Sequence, residues 1–172
     1  QWEVGDESLS FLPMAHAAER VLAFYGRITY GICTSFASSV PKVLDELKEV
    51  RPTVFGSVPR IFEKAYSRIL TEVGKAPARR QSVFRWAEAA ARRVVRDGQR
   101  GEESKLHVRV QYEIANRVVF SRLREAFGGR VKQFITGAAP IPKPILEFFW
   151  GAGIPIYEVY GMTEATVITH AN

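Results

Sequence analysis

Residues 131–164 read VKQFITGAAPIPKPILEFFWGAGIPIYEVYGMTE, and one passage through them sets out the pattern on which the chain is built. The β-branched and aromatic run at 131–136 predicts a strand. Pro142 stands where the first turn of a helix tolerates proline, the apolar residues up to Trp150 carry the helix, and Gly151 and Gly153 stop it. A second run at 154–160 predicts another strand. Strand, helix and strand in that order imply parallel neighbours, because a crossover helix is how parallel strands are joined.

The same alternation extends toward the N-terminus. Residues 8–13 predict a short strand stopped by Pro13, followed by a helix-compatible run at 15–25. Residues 28–36 predict a second strand, and Pro41 then opens a helix in which Val43, Leu44, Leu47 and Val50 recur at helical spacing. Arg51-Pro52 closes it. A third strand is expected at 53–58, and Pro59 opens a helix over 60–73 with Ile61, Phe62, Ala65, Ile69 and Leu70 on one face. From Pro77 the pattern changes to two long helices, one marked by Val83, Ala87, Ala91 and Val94 and ending near Gly98. The other is marked by Leu106, Val110, Ile114 and Val118 and ends at Gly128-Gly129. The expected fold class is α/β: one unit over residues 1–172 with a largely parallel sheet of five strands, flanking helices, and a two-helix basic insertion at 77–130.

Composition is that of an ordinary globular domain, with 47% hydrophobic and 24% charged residues among 172, which excludes a disordered chain. No run of about 18 apolar residues predicts a membrane span, and the Gln1-Trp2-Glu3 start has no signal-peptide character. The single cysteine, Cys33, has no partner for an internal disulfide or a cysteine metal cluster and is expected to be buried and inert. A cytoplasmic protein, with peripheral contact at the inner membrane surface, fits these features. The net charge of +6 is concentrated: residues 75–132 hold 15 Lys and Arg against 6 Asp and Glu. That stretch reads either as a solvated helix face or as a surface for lipid or nucleotide. Nucleic acid is not expected, because the aromatics that stack on bases are not interleaved with the cations.

In open α/β sheets ligands collect beyond the carboxyl ends of the strands. Two segments fall there. Gly137-Ala138-Ala139-Pro140 follows one strand, and its small side chains leave backbone amides and carbonyls open to a flat ligand. Tyr160-Gly161-Met162-Thr163-Glu164 follows the next and offers an aromatic plane, a hydroxyl and a carboxylate. These are what a base, a phosphate and its magnesium need. Taken alone, the five residues are equally a strand end, a turn glycine and a helix start.

The order of four segments resembles that of the adenylate-forming enzymes, specifically the long-chain fatty acid CoA ligases, over essentially the whole chain. Leu12-Pro13-Met14-Ala15-His16 with Glu19-Arg20 is similar to the family's Leu-Pro-x-x-His stretch. Pro52-Thr53 through Val58-Pro59-Arg60 resembles its Pro-Thr and Val-Pro-Arg segment, which serves as framework. Gly137-Ala138-Ala139-Pro140 and Tyr160-Gly161-Met162-Thr163-Glu164 follow in family order. The resemblance implies that ATP, magnesium, a long-chain fatty acid and coenzyme A are the partners. Gly137, Ala138, Ala139 and Pro140 would border adenine and the acyl tunnel, Tyr160, Gly161 and Met162 would complete the nucleotide site, and Thr163 would hold the α-phosphate. Glu164 would ligate the metal. His16 would sit near the acyl and phosphate entrance, or serve only as a structural residue at a helix start. His107 and His170 read as surface histidines.

The family's phosphate-binding loop is expected before residue 1, and its Thr-Gly-Asp segment, hinge and small C-terminal domain after residue 172, so residues 1–172 alone are expected to be inactive. Arg20 stands where some relatives carry an aromatic gate. Two alternatives go with this reading: a fatty acyl-AMP ligase that stops at the adenylate, and a non-catalytic module that binds a membrane or an acidic partner through the basic helices.

Overall fold

The computed structural model describes residues 2–171. Six strands form one sheet: β1 (Glu7–Ser10), β2 (Cys33–Phe36), β3 (Val54–Ser57), β4 (Gln133–Thr136), β5 (Ile156–Tyr160) and β6 (His170–Ala171), in the order β2-β1-β3-β4-β5-β6. The first five pair in parallel, as the alternation with helices requires, and β6 turns back antiparallel to β5. That last strand has two residues and no hydrophobic pattern to announce it.

The register puts Leu9, Phe55, Phe134 and Ile156 on one face. They pack against Phe62 of α4 (Pro59–Lys75), Phe148 and Phe149 of α8 (Lys143–Gly151), and Phe127. Phe62 meets Phe134 edge to face with ring centroids 5.8 Å apart, and Phe127 meets Phe149 in the same way at 5.6 Å. Successive residues on a strand point to opposite faces, so Ser8, Ser10, Val54, Gly56, Ile135 and Val159 line the other side. Residues 17–30 cover it as one continuous helical segment: α1 (Ala17–Glu19), a π-helical stretch (Arg20–Tyr25) and α2 (Gly26–Tyr30).

Two sequence expectations are corrected here. The strand expected from Ile28 begins only at Cys33, because Ile28, Thr29 and Tyr30 belong to α2. β-propensity measures fit to a half-buried pleated surface, and in this position the helical segment lies across the sheet instead. Gly31, at φ 67°, ends the helix with its N–H donating to the Arg27 carbonyl. Cys33 is exposed, not buried, because β2 is an edge strand of the described sheet.

The remaining helices are α3 (Val43–Val50), α5 (Ala78–Gln99), α6 (Leu106–Ala115), continued by a π-helical turn (Asn116–Phe120), and α7 (Ser121–Glu125). They stack outward from the sheet, with α5 on α8 and α6 on α5. At the first contact Gly151 lies so close to α5 that a Cβ there would come within 2.8 Å of the Ala91 Cβ. On α6 the buried residues are Val108 and Ala115, while Leu106, Val110 and Ile114 face outward.

The amino ends of the central strands are clamped by a polar knot on the far side from the strand tips. Asp6, 2% exposed, accepts from the Glu3 N–H at 2.9 Å, from Thr53 Oγ1 at 2.8 Å and from Lys132 Nζ at 3.0 Å, which joins β1 to the lead-ins of β3 and β4. Burial pushes the Asp6 carboxyl up, and these donors together pull it further down, so it is held below its ordinary value. A depressed carboxyl contributes stability that is complete above the ordinary aspartate range, about pH 4, and lost as the pH falls through the folded value. Asp6→Asn is therefore expected to lower the melting temperature near pH 7 and to flatten its decline on acidification, as followed by thermal melts from pH 7 downward.

Candidate active site

Three loops converge at the carboxyl ends of the strands. The first, after β4, is built on close approach and left-handed backbone. A Cβ on Gly137 would stand 2.9 Å from Val159 Cγ2 and 3.0 Å from the Val159 carbonyl oxygen, and Ala138 has φ 72°. The loop is tied to β5 by the Ile141 N–H, which donates to Glu158 Oε1 at 3.0 Å. Ala138, Ala139 and Pro140 are exposed at its crest.

The second loop follows β5. Gly161 is enclosed by backbone, with the Val167 carbonyl oxygen 1.3 Å from where a Cβ would stand. Thr163–Ala165 form a single 3-10 turn, and the chain returns through Thr166 (φ 61°) and Val167 (φ 83°). Bonds from the Val167 N–H to the Met162 carbonyl and from the Thr169 N–H to the Tyr160 carbonyl fasten the loop into a knot. A β-branched residue at positive φ is uncommon and strained, and such strain concentrates at functional segments. Tyr160 is 63% exposed and its ring centroid lies 6.3 Å from that of His170.

The third loop leads into α1. His16 caps this helix, its Nδ1 accepting from the Ala18 N–H at 3.2 Å. The accepting nitrogen is unprotonated, so in the neutral ring Nε2 carries the proton and is a donor. His16 is thus a helix-start residue and also part of the cavity wall described next.

A cavity of about 360 Å³ runs between the sheet and residues 17–30, and its wall includes His16, Gly137, Ala138, Gly161, Met162 and Thr163 at the rim. Deeper in, the apolar Leu22, Ala23, Ile32, Val54 and Ile135 share its wall with the polar Ser8, Ser10, Glu19 and Ser57. It crosses from β5 to β1, three strand spacings or about 14 Å. A second cleft, about 550 Å³, opens between Ala138, Ala139 and Pro140 on one side and Tyr160, Gly161 and His170 on the other. The two sequence-predicted loops therefore share both cavities. Glu164 is exposed beside them and does not line either one. Among the described residues no group of three or more His, Cys, Asp or Glu could hold a metal ion.

Glu19, which the Leu-Pro-x-x-His resemblance includes without a role, and Glu158, which no motif includes, both belong to the site. Glu19 is buried in the cavity wall and accepts from the Ser10 hydroxyl. Burial raises its carboxyl above the ordinary value, against the opposing pull of Ser10 and His16. The signal in the sequence was a carboxylate three residues after His16, inside a run otherwise suited to packing. Glu158 was legible in the same way, as the one charged residue of a five-residue strand. His170 is exposed, as expected of a surface histidine, and it also borders the second cleft.

A family model described as AMP-binding enzyme matches residues 1–172. The chain belongs to the AMP-binding enzyme family. This family member is 35% identical over 170 residues to fadD11 of Mycobacterium tuberculosis, covering 98% of this chain and 30% of that protein. It is 35% identical over 164 residues to the long-chain-fatty-acid–CoA ligase ACSBG2 of Xenopus laevis, covering 92% of this chain and 22% of the relative. The chain thus spans less than a third of the length of these relatives. Among solved structures, the adenylation domain of a carboxylate reductase from Mycobacterium chelonae matches with a TM-score of 0.65 at 24% identity, over 95% of this chain and 21% of that one. O-succinylbenzoate coenzyme A synthetase from Bacillus subtilis, solved in complex with ATP and magnesium ion, matches with a TM-score of 0.54 at 18% identity, over 97% and 24% of the two chains. Both carry the same fold.

Proposed function

We propose that the complete gene product is an AMP-forming long-chain fatty acid CoA ligase. The observation that carries the reading is one cavity whose rim is formed by Gly137, Ala138 and Thr163 and whose interior, under residues 17–30, offers the apolar surface of Leu22, Ala23, Ile32, Val54 and Ile135 beside the Ser10–Glu19 pair. A polar mouth leading to this largely aliphatic surface suits an amphiphile whose carboxylate reacts at the mouth.

In this proposal the adenine lies in the second cleft, with Ala138, Ala139 and Pro140 on one side and Tyr160 and Gly161 on the other, and Met162 stands at the rim of the first cavity beside it. Thr163 donates its hydroxyl to an α-phosphate oxygen. His16, through Nε2–H, donates to an anionic oxygen at the mouth. The fatty carboxylate attacks the α-phosphorus of ATP, the bond to the β-phosphate oxygen breaks, and pyrophosphate leaves. The thiol of coenzyme A then loses its proton and attacks the acyl carbon, releasing AMP. Holding the carboxylate in line with the phosphorus supplies much of the rate, since orientation alone is worth several orders of magnitude. Glu164 is the residue that would hold magnesium, and a lone carboxylate fits that ion, which takes one or two protein oxygens and fills its shell with phosphate and water. When bound, the ion offsets charge on the phosphate oxygens.

The channel floor gives a specific expectation. A Cβ built on Gly56 meets only Leu22 Cδ1, at 3.6 Å, and Gly56 is in the cavity wall. Gly56→Phe should therefore fill the bore without disturbing the strand. The acyl chain length giving the highest kcat/KM is expected to shorten, with activity on short acids retained. Equal loss on all chain lengths would show that the acyl chain runs elsewhere.

The reading is tested by pyrophosphate exchange into ATP with the complete gene product, which should depend on added long-chain acid. Trapping with coenzyme A separates the ligase from an acyl-AMP ligase: thioester forms in the first case, and acyl-adenylate accumulates in the second. Among the described residues no helix is long and apolar enough to cross a membrane. The proposal includes a cytoplasmic enzyme that collects its acid by peripheral contact with a bilayer.

A further inference from the structure

We propose that Glu19 is a positioning residue for His16: the hydrogen bond it accepts from Ser10 closes the base of the loop that carries the imidazole and holds that ring at the mouth of the first cavity. The proposal deepens the ligase reading and rests on it for the use to which His16 is put. Its structural grounds are separate.

Ser10 is the last residue of β1 and Glu19 the last of α1, so a bond between them ties off everything that lies between the strand and the helix. Both partners are buried, and both belong to this chain. At the start of the loop Phe11 packs on Phe55, with ring centroids 5.9 Å apart. Beyond it the bonds are local. The His16 N–H donates to the Pro13 carbonyl at 2.8 Å, the Arg20 N–H to the His16 carbonyl at 3.2 Å, and Arg20 Nε to the Met14 carbonyl at 3.1 Å. None of these three reaches the sheet, whereas the Ser10–Glu19 bond does.

The spacing explains why a carboxylate at this position acts on the histidine. Glu19 follows His16 by three residues, which sets the two side chains on the same side of the turn, and both are in the cavity wall. The ring is held through Nδ1, which accepts from the Ala18 N–H at 3.2 Å and leaves the proton on Nε2. That cap exists while residues 16–19 keep their turn. α1 is the first turn of the helical segment 17–30, and helix ends fray more readily than the turns behind them. A buried side-chain bond to β1 opposes the fraying at the residue where α1 gives way to the π-helical stretch. Removing either partner leaves the other buried and unsatisfied, a cost relieved when the turn swings away from β1. His16 then moves with it.

The experiment is a double-mutant cycle on the complete gene product, read by pyrophosphate exchange with a long-chain acid. Glu19→Ala and Ser10→Ala are each expected to lower kcat by about tenfold or more, with KM for ATP and for the acid changed by less than about threefold. Combined with His16→Ala, neither is expected to slow exchange further, because the group it positions is already gone. Glu19→Gln, whose amide oxygen still accepts from Ser10, should return kcat to within about threefold of wild type. The ring itself is read by nitrogen NMR on histidine-labelled protein, its signal identified by its loss in His16→Ala. Wild type should show the form protonated on Nε2, and Glu19→Ala a mixture of both tautomers. Losses that multiply with that of His16→Ala would overturn the proposal, since Glu19 would then act apart from the histidine. So would wild-type kcat in Glu19→Ala, a Glu19→Gln no better than Glu19→Ala, or a ring signal that does not change. Where Glu19→Ala shows no thermal transition, Ser10→Ala carries the same comparisons. Wild-type protein without exchange on any acid would remove the ligase reading, and the ring signal would still decide whether the tether holds His16.

Discussion

Gly161→Ala is expected to reduce acid-dependent pyrophosphate exchange by the complete gene product about a hundredfold or more, the size of effect that follows when reacting groups shift by an ångström. The reason is steric. The new Cβ would lie 1.3 Å from the Val167 carbonyl oxygen, 2.4 Å from its carbon and 2.9 Å from Ile168 Cα. All three are backbone atoms, so no side-chain rotation makes room. The loop must open, and the bonds from the Val167 N–H to Met162 and from the Thr169 N–H to Tyr160 are the ones that would break. Opening carries Thr163 and Glu164 away from the Ala138 loop. The sheet core lies on the other side of β4 and β5, among Phe62, Phe127, Phe134 and Phe149, so most of the fold should persist. Circular dichroism should remain native-like while exchange is lost; activity retained at the wild-type level would show that the loop is not packed as described.

Glu164→Ala should give the second large effect by a different route. Glu164 is exposed in a single 3-10 turn, and substitutions at such positions usually change stability by less than about 0.5 kcal/mol. Removing the carboxylate removes the proposed protein oxygen for magnesium. Losses of about 10² to 10³ in kcat accompany deletion of one preorganised electrostatic contact. Glu164→Gln should do no better, because an amide keeps the shape and loses the charge. An unchanged melting temperature with lost exchange, partly restored by raised magnesium, is the expected signature. Wild-type exchange in Glu164→Ala would remove this residue from the mechanism.

Much of the fold was legible because the runs are punctuated. The strands β3, β4 and β5 lie within the predicted runs and β1 overlaps its own, beginning one residue earlier, each run bounded by proline or glycine, and Pro59 opens α4 where a first-turn proline belongs. The failures have a common physical origin, which is that local preference yields to tertiary position. Ile28, Thr29 and Tyr30 are good strand formers that sit in α2, because that segment must continue across the sheet to cover the cavity. Cys33 has an apolar neighbourhood in sequence and an exposed one in space, since edge position is a property of the sheet and not of the strand. Leu106, Val110, Ile114 and Val118 have correct helical spacing, yet spacing cannot say whether a face meets a core or the outside. The site was read from residues that follow strands, which is why Gly137 and Thr163 were visible. Glu19 and Glu158 carry no role in that reading because each acts from inside an element, one in the wall of the cavity and the other tying the loop after β4 to β5 through the Ile141 N–H.

The most direct test is a crystal structure of the complete gene product with a non-reactive alkyl adenylate, the alkyl chain standing for the fatty acyl group. The account predicts density for the adenine between Pro140 and Tyr160, the phosphate at the Thr163 hydroxyl, and the alkyl chain passing beneath residues 17–30 over Gly56. Nucleotide bound away from the Ala138 and Thr163 loops, or an alkyl chain leaving the site without entering that channel, would contradict it.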